Sequence, residues 1–264
     1  LPRKINFTQM GRYSDSSEQR FRQLFEREFD WIQFNLFLMR QRFGESIRKA
    51  IAIDASHISK SGKKTPYIGK FWSGCASQVK RGLEILGIGI VDIDRRDCMM
   101  LRAEQTPDKA YLEKQGEDYN LVDWYLDVLR KHKDKLLRIT RYVVADAWFS
   151  KAKFVGEACL LGFHVISRLR DDAALWYAHD GVRTGKRGRP RIKGEKIDFE
   201  KLDLQRCEIL DIEGGKAYSL KAYSKAMKRN IKVVVHYPES GGHKIYFSTD
   251  LDMAAKDIIE YYRT

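Results

Sequence analysis

The chain is 264 residues long, with 49 Lys plus Arg against 36 Asp plus Glu, a net charge of +13 and 43% hydrophobic residues. That composition supplies enough apolar material for a core and excludes a disordered tail, and the length suits one large domain or two smaller ones. No run approaches the ~18 uninterrupted apolar residues a membrane span needs; Leu1 to Gly11 is polar and basic rather than signal-like, and the absent initiator Met suggests that sequence lies upstream.

The stretch from Ser14 to Ala50 reads as helix. Ser16 or Ser17 caps it, Glu18 sits early, and Phe21, Leu24, Phe25, Phe29, Ile32, Leu36 and Met39 recur at helical spacing. The period changes at Ile51, where an apolar strand ends at Asp54 and a polar Ser, Gly and Lys loop follows. Leu83 to Asp94 reads as a buried strand, and CMMLRAEQTP from Cys98 as another, closed by Pro107. Tyr111 to His132 reads as a helix with Leu112, Leu121, Trp124, Tyr125, Val128 and Leu129 on its apolar face. A strand ending at Asp146, a helix from about Ser150 and a strand from Phe163 to Arg168 complete an α/β alternation.

Arg170 to Ser240 differs. Turn signals at Asp180-Gly181, Gly188-Arg189-Pro190, Gly214-Gly215 and Ser240-Gly241-Gly242 separate short β-like runs, which predicts a mostly β insertion. The echo of KAYS within Lys216 to Lys228 is too short for a repeat architecture. A final strand, a turn at Thr249 and Asp250, and a helix running to the chain end resume the α/β pattern. The domain plan is therefore a helical segment at 1–50, a core at 51–169, the insertion at 170–240, and the last strand and helix at 241–264.

Four widely spaced cysteines without a C-x-x-C pair, and six histidines without metal-ligand spacing, argue against a soft-ligand metal site and fit a reducing cytoplasm. Two aspartates stand out instead. Asp54 and Asp146 each terminate an apolar strand, so their carboxylates can converge at one edge of a sheet. Hard oxygen ligands of this kind suit Mg²⁺ or Mn²⁺, and two such ions can serve phosphodiester cleavage. The plainer alternative is that each aspartate caps the turn after its strand.

The excess positive charge points to a polyanion. Arg183, Lys186, Arg187, Arg189, Arg191 and Lys193 sit in a Gly- and Pro-containing tract that reads as an exposed loop able to contact DNA phosphates. Lys60, Lys63 and Lys64 follow Asp54 and could neutralise phosphates, or simply be solvated. Trp176 could stack on an unpaired base, whereas Trp148 reads first as a packing residue.

Four blocks carry a family resemblance: IAIDASHISKSGKKTPYIG from Ile51, GLEILGIGIVDID from Gly82, RYVVADAWFSK from Arg141, and IYFSTDLDMAAKDIIEYYR from Ile245. In order and spacing they resemble the DDE transposases of bacterial insertion sequences, in the cut-and-paste class whose ribonuclease H-like catalytic domain carries a β-rich insertion. The resemblance implies a mixed sheet flanked by helices. It also implies Asp54 and Asp146 as the first two metal-binding acids, and two Mg²⁺ or Mn²⁺ ions. The implied partner is double-stranded DNA, both terminal inverted repeats and target, gripped by a homodimer in the bacterial cytoplasm. The family's third acid lies in a helical Y-x-x-R-x-x-x-E signature. Tyr262 matches its first position, but the expected Arg and Glu would fall one and five residues beyond Thr264, which implies a truncated last helix. Glu260 lies roughly 13 Å short of that place along the helix axis and reads as a surface residue. The alternatives are a catalytically incomplete DNA-binding fragment, or another ribonuclease H-like nuclease.

Overall fold

Two long apolar stretches, Lys49–Ser59 (β1) and Gln78–Asp92 (β3), pair antiparallel from Lys49↔Asp92 to Ser59↔Gly82 and set the plan of the molecule. The computed structural model describes residues 5–44, 48–62, 64–179 and 192–264. Gly69–Ser73 (β2) and Asp97–Gln105 (β4) share the far edge of β3, pairing with its beginning and its end respectively. On the other side of β1 lie Tyr142–Ala145 (β5) and His164–Leu169 (β6), both parallel to it. Lys244–Ser248 (β12) then pairs antiparallel with β6. Beyond it come Arg229–Pro238 (β11), Gly215–Ser224 (β10), Leu175–Ala178 (β7) and Lys193–Lys196 (β8), with Glu208–Ile212 (β9) also against β10. The result is one twelve-stranded mixed sheet.

Seven α-helices accompany it among the described residues: Phe7–Arg12 (α1), Glu18–Phe25 (α2), Trp31–Phe43 (α3), Lys109–Gln115 (α4), Leu121–Leu137 (α5), Ala152–Leu160 (α6) and Ala255–Arg263 (α7). Side chains alternate across a strand, so each residue's parity fixes which layer it joins. Ile51 and Ile53 of β1, with Leu86, Ile88 and Ile90 of β3, face a core shared with Ile32, Leu36 and Met39 of α3, Leu126 and Leu129 of α5 and Phe154 of α6. The opposite parity, Ala50 with Ile166, Val234 and Tyr246, is covered by Ile258, Ile259 and Tyr261 of α7. Each fully buried aliphatic side chain of this kind contributes roughly 1.5–3 kcal/mol. The mixed α/β sheet flanked by helices that the sequence predicts is therefore present.

Several element boundaries depart from the prediction. The helix expected from Ser14 to Ala50 is two helices, and its last residues belong to β1. Ser17 does cap α2, accepting from the Arg20 N–H, but Asp30 caps a new helix by accepting from the Gln33 N–H at 3.1 Å. The aromatic spacing runs on through that interruption and hides it. Likewise Tyr111–His132 is split: Gly116 leaves α4 at φ +149°, and Asn120 with Asp123 forms a capping box that starts α5. β1 does not stop at Asp54, because β3 supplies partners as far as Ser59. α1 and β2 have no counterpart among the predicted elements. No described helix is long and apolar enough to cross a membrane.

Candidate active site at the paired edge of β1 and β5

The parallel register of β1 and β5 runs Ile51↔Val143, Ala52↔Val144, Ile53↔Ala145. One step further it sets Asp54 opposite Asp146, on backbones roughly 4.8 Å apart. Both follow the parity of Ala52 and Val144, which is the α7 face of the sheet. On the other side of β1 the partner of Asp54 is Gly87, with Gly89 opposite Ala52, so β3 places no side chain of its own over the carboxylate.

Each aspartate is held locally. Asp54 is exposed, and its Oδ2 accepts from Ser56 Oγ at 3.3 Å. Asp146 leaves its strand and caps the single turn Ala147–Phe149, its Oδ1 accepting the Trp148 N–H at 3.0 Å. Its backbone carbonyl accepts from Ser167 Oγ of β6 at 2.8 Å. The capping role and a ligand role are compatible, since the cap engages one carboxylate oxygen.

Although Asp146 is exposed as a residue, burial pushes its carboxyl above the usual carboxylate range. The Trp148 N–H opposes that rise, the charge of Asp54 adds to it, and Lys151 opposes it in turn. Lys151 lies with its Nζ 3.4 Å from the centroid of the Trp148 ring; burial lowers this ammonium, and Asp146 acts in the other direction. Beneath the turn, the Tyr125 ring meets Trp148 and Phe149 at 5.6 and 5.3 Å. The Tyr125 hydroxyl donates to buried Glu84 at 2.6 Å. From the α7 side, Tyr262 packs on Tyr246 at 5.2 Å. Burial raises its phenol first and the charge of Asp146 second.

Two carboxylates side by side, one raised partly by the other, form a site whose repulsion a cation relieves. Mg²⁺ or Mn²⁺, which bind through one or two carboxylates and retain waters, fit that donor set. Among the described residues no group of three or more His, Cys, Asp or Glu side chains is arranged to hold a metal ion.

The other predicted residues lie further away. Lys60 and Lys64 are exposed beyond the end of β1; the extension of that strand puts Lys60 roughly 20 Å from Asp54 along the chain. Lys63, Arg183, Lys186, Arg187, Arg189 and Arg191 lie outside the described residues. Lys193 and Trp176 meet on β8 and β7, Nζ 4.0 Å from the ring centroid. β7 is six places from β1 in the sheet, roughly 29 Å across, so the sheet does not bring this pair to the aspartates. Glu260 is half-buried rather than a free surface residue: its carboxylate meets Arg48 at 2.6 Å, and Arg48 also holds Asp257 and Asp94. Glu84 and Tyr125 support the site without having been singled out from the sequence. The available signal was a lone carboxylate at a core-facing position in the otherwise apolar run LEILGIGI.

The family model described as DDE superfamily endonuclease matches residues 2–229, a span that includes both aspartates. No curated protein matches the chain.

Proposed function

The chain belongs to the DDE superfamily of endonucleases, and on that premise we propose that it is an insertion-sequence transposase. It cleaves a DNA strand at the element's terminal inverted repeats, and the freed 3′-hydroxyl attacks a phosphodiester of the target. The observation that supports this reading is the parallel register ending at Ile53↔Ala145, after which the next residues on the two segments are Asp54 and Asp146. Family membership already implies phosphodiester hydrolysis on a nucleic-acid substrate; the transposition steps, the inverted repeats, a pair of metal ions and a homodimer on DNA belong to the proposal.

In it, Asp54 and Asp146 hold the divalent metal, which when bound stabilises charge on the phosphate oxygens and favours deprotonation of the attacking group. The protein contributes placement. The Trp148 N–H and Ser167 fix Asp146, Ser56 orients Asp54, and Lys151 adds a cation held against Trp148. Tyr262 of α7 matches the first position of the family's helical signature, and the charge of Asp146 acts on its phenol.

The test is Asp54→Asn. Cleavage of a duplex bearing terminal inverted repeats should fall by about three orders of magnitude, the scale of losing one essential catalytic group, with duplex binding retained. Cleavage at the parent rate would sink the assignment. Cleavage of RNA–DNA hybrids in preference to inverted repeats would favour a different nuclease.

A further inference from the structure

Past the end of β1 the sheet narrows to two strands. β1 stops at Ser59, opposite Gly82, whereas β2 and β3 continue to pair from Gly69↔Gly82 to Ser73↔Gln78. They project as an antiparallel ribbon from the end of the sheet toward which β1 carries Asp54. One face of the ribbon is packed, with Phe71 and Ser73 buried. The other face bears the cross-strand pairs Lys70↔Arg81 and Trp72↔Val79. Parity connects that face to the aspartate: Asp54 and Ile58 of β1 lie opposite Gly87 and Leu83 of β3, and Arg81 and Val79 continue the same alternation.

This face is open and apolar at its tip, Trp72 being 60% exposed and Val79 58%. Its two charged side chains, Lys70 and Arg81, are both cationic, whereas Lys80, opposite Phe71, belongs to the packed face. From Ala55 to Leu83 the chain has six basic residues (Lys60, Lys63, Lys64, Lys70, Lys80, Arg81) and no Asp or Glu, although it carries 36 acids in all. Arg81 donates from Nη2 to the Gly62 carbonyl at 2.8 Å, which ties the loop between Lys60 and Lys64 to the ribbon. Lysines alone would protect an edge strand from mispairing; an exposed indole among them serves no such purpose. Cations interleaved with an aromatic, with acids excluded, match the chemistry of a nucleic-acid backbone and its bases. A two-stranded ribbon also fits the major groove of a duplex, about 12 Å wide.

We propose that the β2–β3 ribbon is a DNA-binding arm that grips the duplex beside the cleavage site, with Lys70 and Arg81 on phosphates and Trp72 against sugar and base edges. The inference rests on the reading of the chain as a DNA-cutting enzyme centred on Asp54 and Asp146. Val79 is eight residues along β3 from Gly87, the partner of Asp54, roughly 27 Å at 3.4 Å per residue. That reach covers roughly eight base pairs of flanking duplex at 3.4 Å per step.

The experiment measures binding of a fluorescein-labelled 30-base-pair duplex of mixed sequence, without divalent metal, across a series of salt concentrations. Trp72→Ala should weaken binding about tenfold. Lys70→Ala combined with Arg81→Ala should reduce the slope of log affinity against log salt by about two. Lys70→Glu, an exposed charge reversal that leaves Arg81 and its tether in place, should weaken binding further than Lys70→Ala with an unchanged melting temperature. If the parent binds and the folded ribbon variants match it in affinity and slope, the arm is overturned and the transposase reading stands. If the parent itself does not bind the duplex, the DNA reading fails and takes this inference with it.

Discussion

Asp54 and Asp146 each come one residue after Ile53↔Ala145, the last pair of a parallel ladder, and burial together with the Asp54 charge raises the Asp146 carboxyl above its ordinary range. A raised acid keeps its proton to higher pH, and a divalent cation must displace that proton to bind. Mn²⁺ affinity should therefore fall as pH drops through a range above that of a free aspartate. Asp54→Asn removes the neighbouring charge, so the Asp146 titration should move down toward the ordinary value while metal affinity is lost. The folded state of that variant should be no less stable at neutral pH, since the substitution removes a repulsion. Carboxyl-carbon NMR titration of Asp146 checks the first statement and thermal unfolding the second; an Asp146 titration unmoved by Asp54→Asn would contradict the juxtaposition.

Tyr125 and Glu84 give a sharper stability prediction. Glu84 is buried and accepts from the Tyr125 hydroxyl at 2.6 Å. Burial, with the charge of Glu84, pushes that phenol well above its usual value. Tyr125→Phe keeps the ring that packs on Trp148 and Phe149 but strands a buried carboxylate. It should cost about 2–3 kcal/mol. Glu84→Gln, which leaves an amide oxygen to accept the same bond, should cost less, and the double variant should cost less than the sum of the two. Urea unfolding of the four proteins measures the cycle; strict additivity would show that the bond is not made.

Much of this arrangement was legible in the sequence, and the reasons differ by element. Asp54 and Asp146 stand out because each is a carboxylate directly after an apolar run, and the family blocks contain both. The β-rich character of 170–240 showed in its turn residues, but periodicity carries no pairing information. That β10 and β11 join the same sheet through β12 is a long-range fact set by partners such as Val233↔Phe247. The two interrupted helices were misjudged because aromatic residues recur at helical spacing on both sides of Asp30 and of Gly116. Only the capping side chains and the positive φ of Gly116 mark the breaks. The ribbon was hidden because its strand β2, Gly69–Ser73, is short and draws its stability from β3 rather than from its own pattern.

Acid stability should depend on Glu104. Burial by itself would raise this carboxyl, but hydrogen bonds with His132 and Arg102 and the nearby Lys131 bring it down to about 2. A folded-state acid held below its unfolded value of about 4.5 contributes stability above that pH and loses it as pH falls toward about 2. Glu104→Gln should thus be less stable than the parent by about 2 kcal/mol at neutral pH. The gap should close progressively below pH 4.5. Parallel denaturant titrations from neutral pH to pH 2.5 measure it; a gap that stays constant with pH would remove Glu104 as its source.

Two glycines of β3 should behave oppositely on gaining a methyl group, although neither has a positive φ. At Gly82 a Cβ would stand 2.3 Å from the Ile58 carbonyl oxygen and 2.5 Å from His57 Nε2. The first of these is backbone, and it lies where β1 ends and the ribbon begins, so the strands must separate to admit it. At Gly87, opposite Asp54, the nearest atom is Met100 Cε at 3.2 Å, the far end of a flexible side chain that can turn away. Gly82→Ala should therefore cost about 3 kcal/mol, on the scale of an overpacked core substitution. Gly87→Ala should stay within about 1 kcal/mol of the parent, its methyl filling space beside Asp54. Hydrogen exchange should show the Gly82→Ala loss concentrated at Ile58, Ser59 and the β2–β3 amides. The reverse ranking of the two variants would mean that β1 and β3 pair in a different register from Asp54↔Gly87 and Ser59↔Gly82.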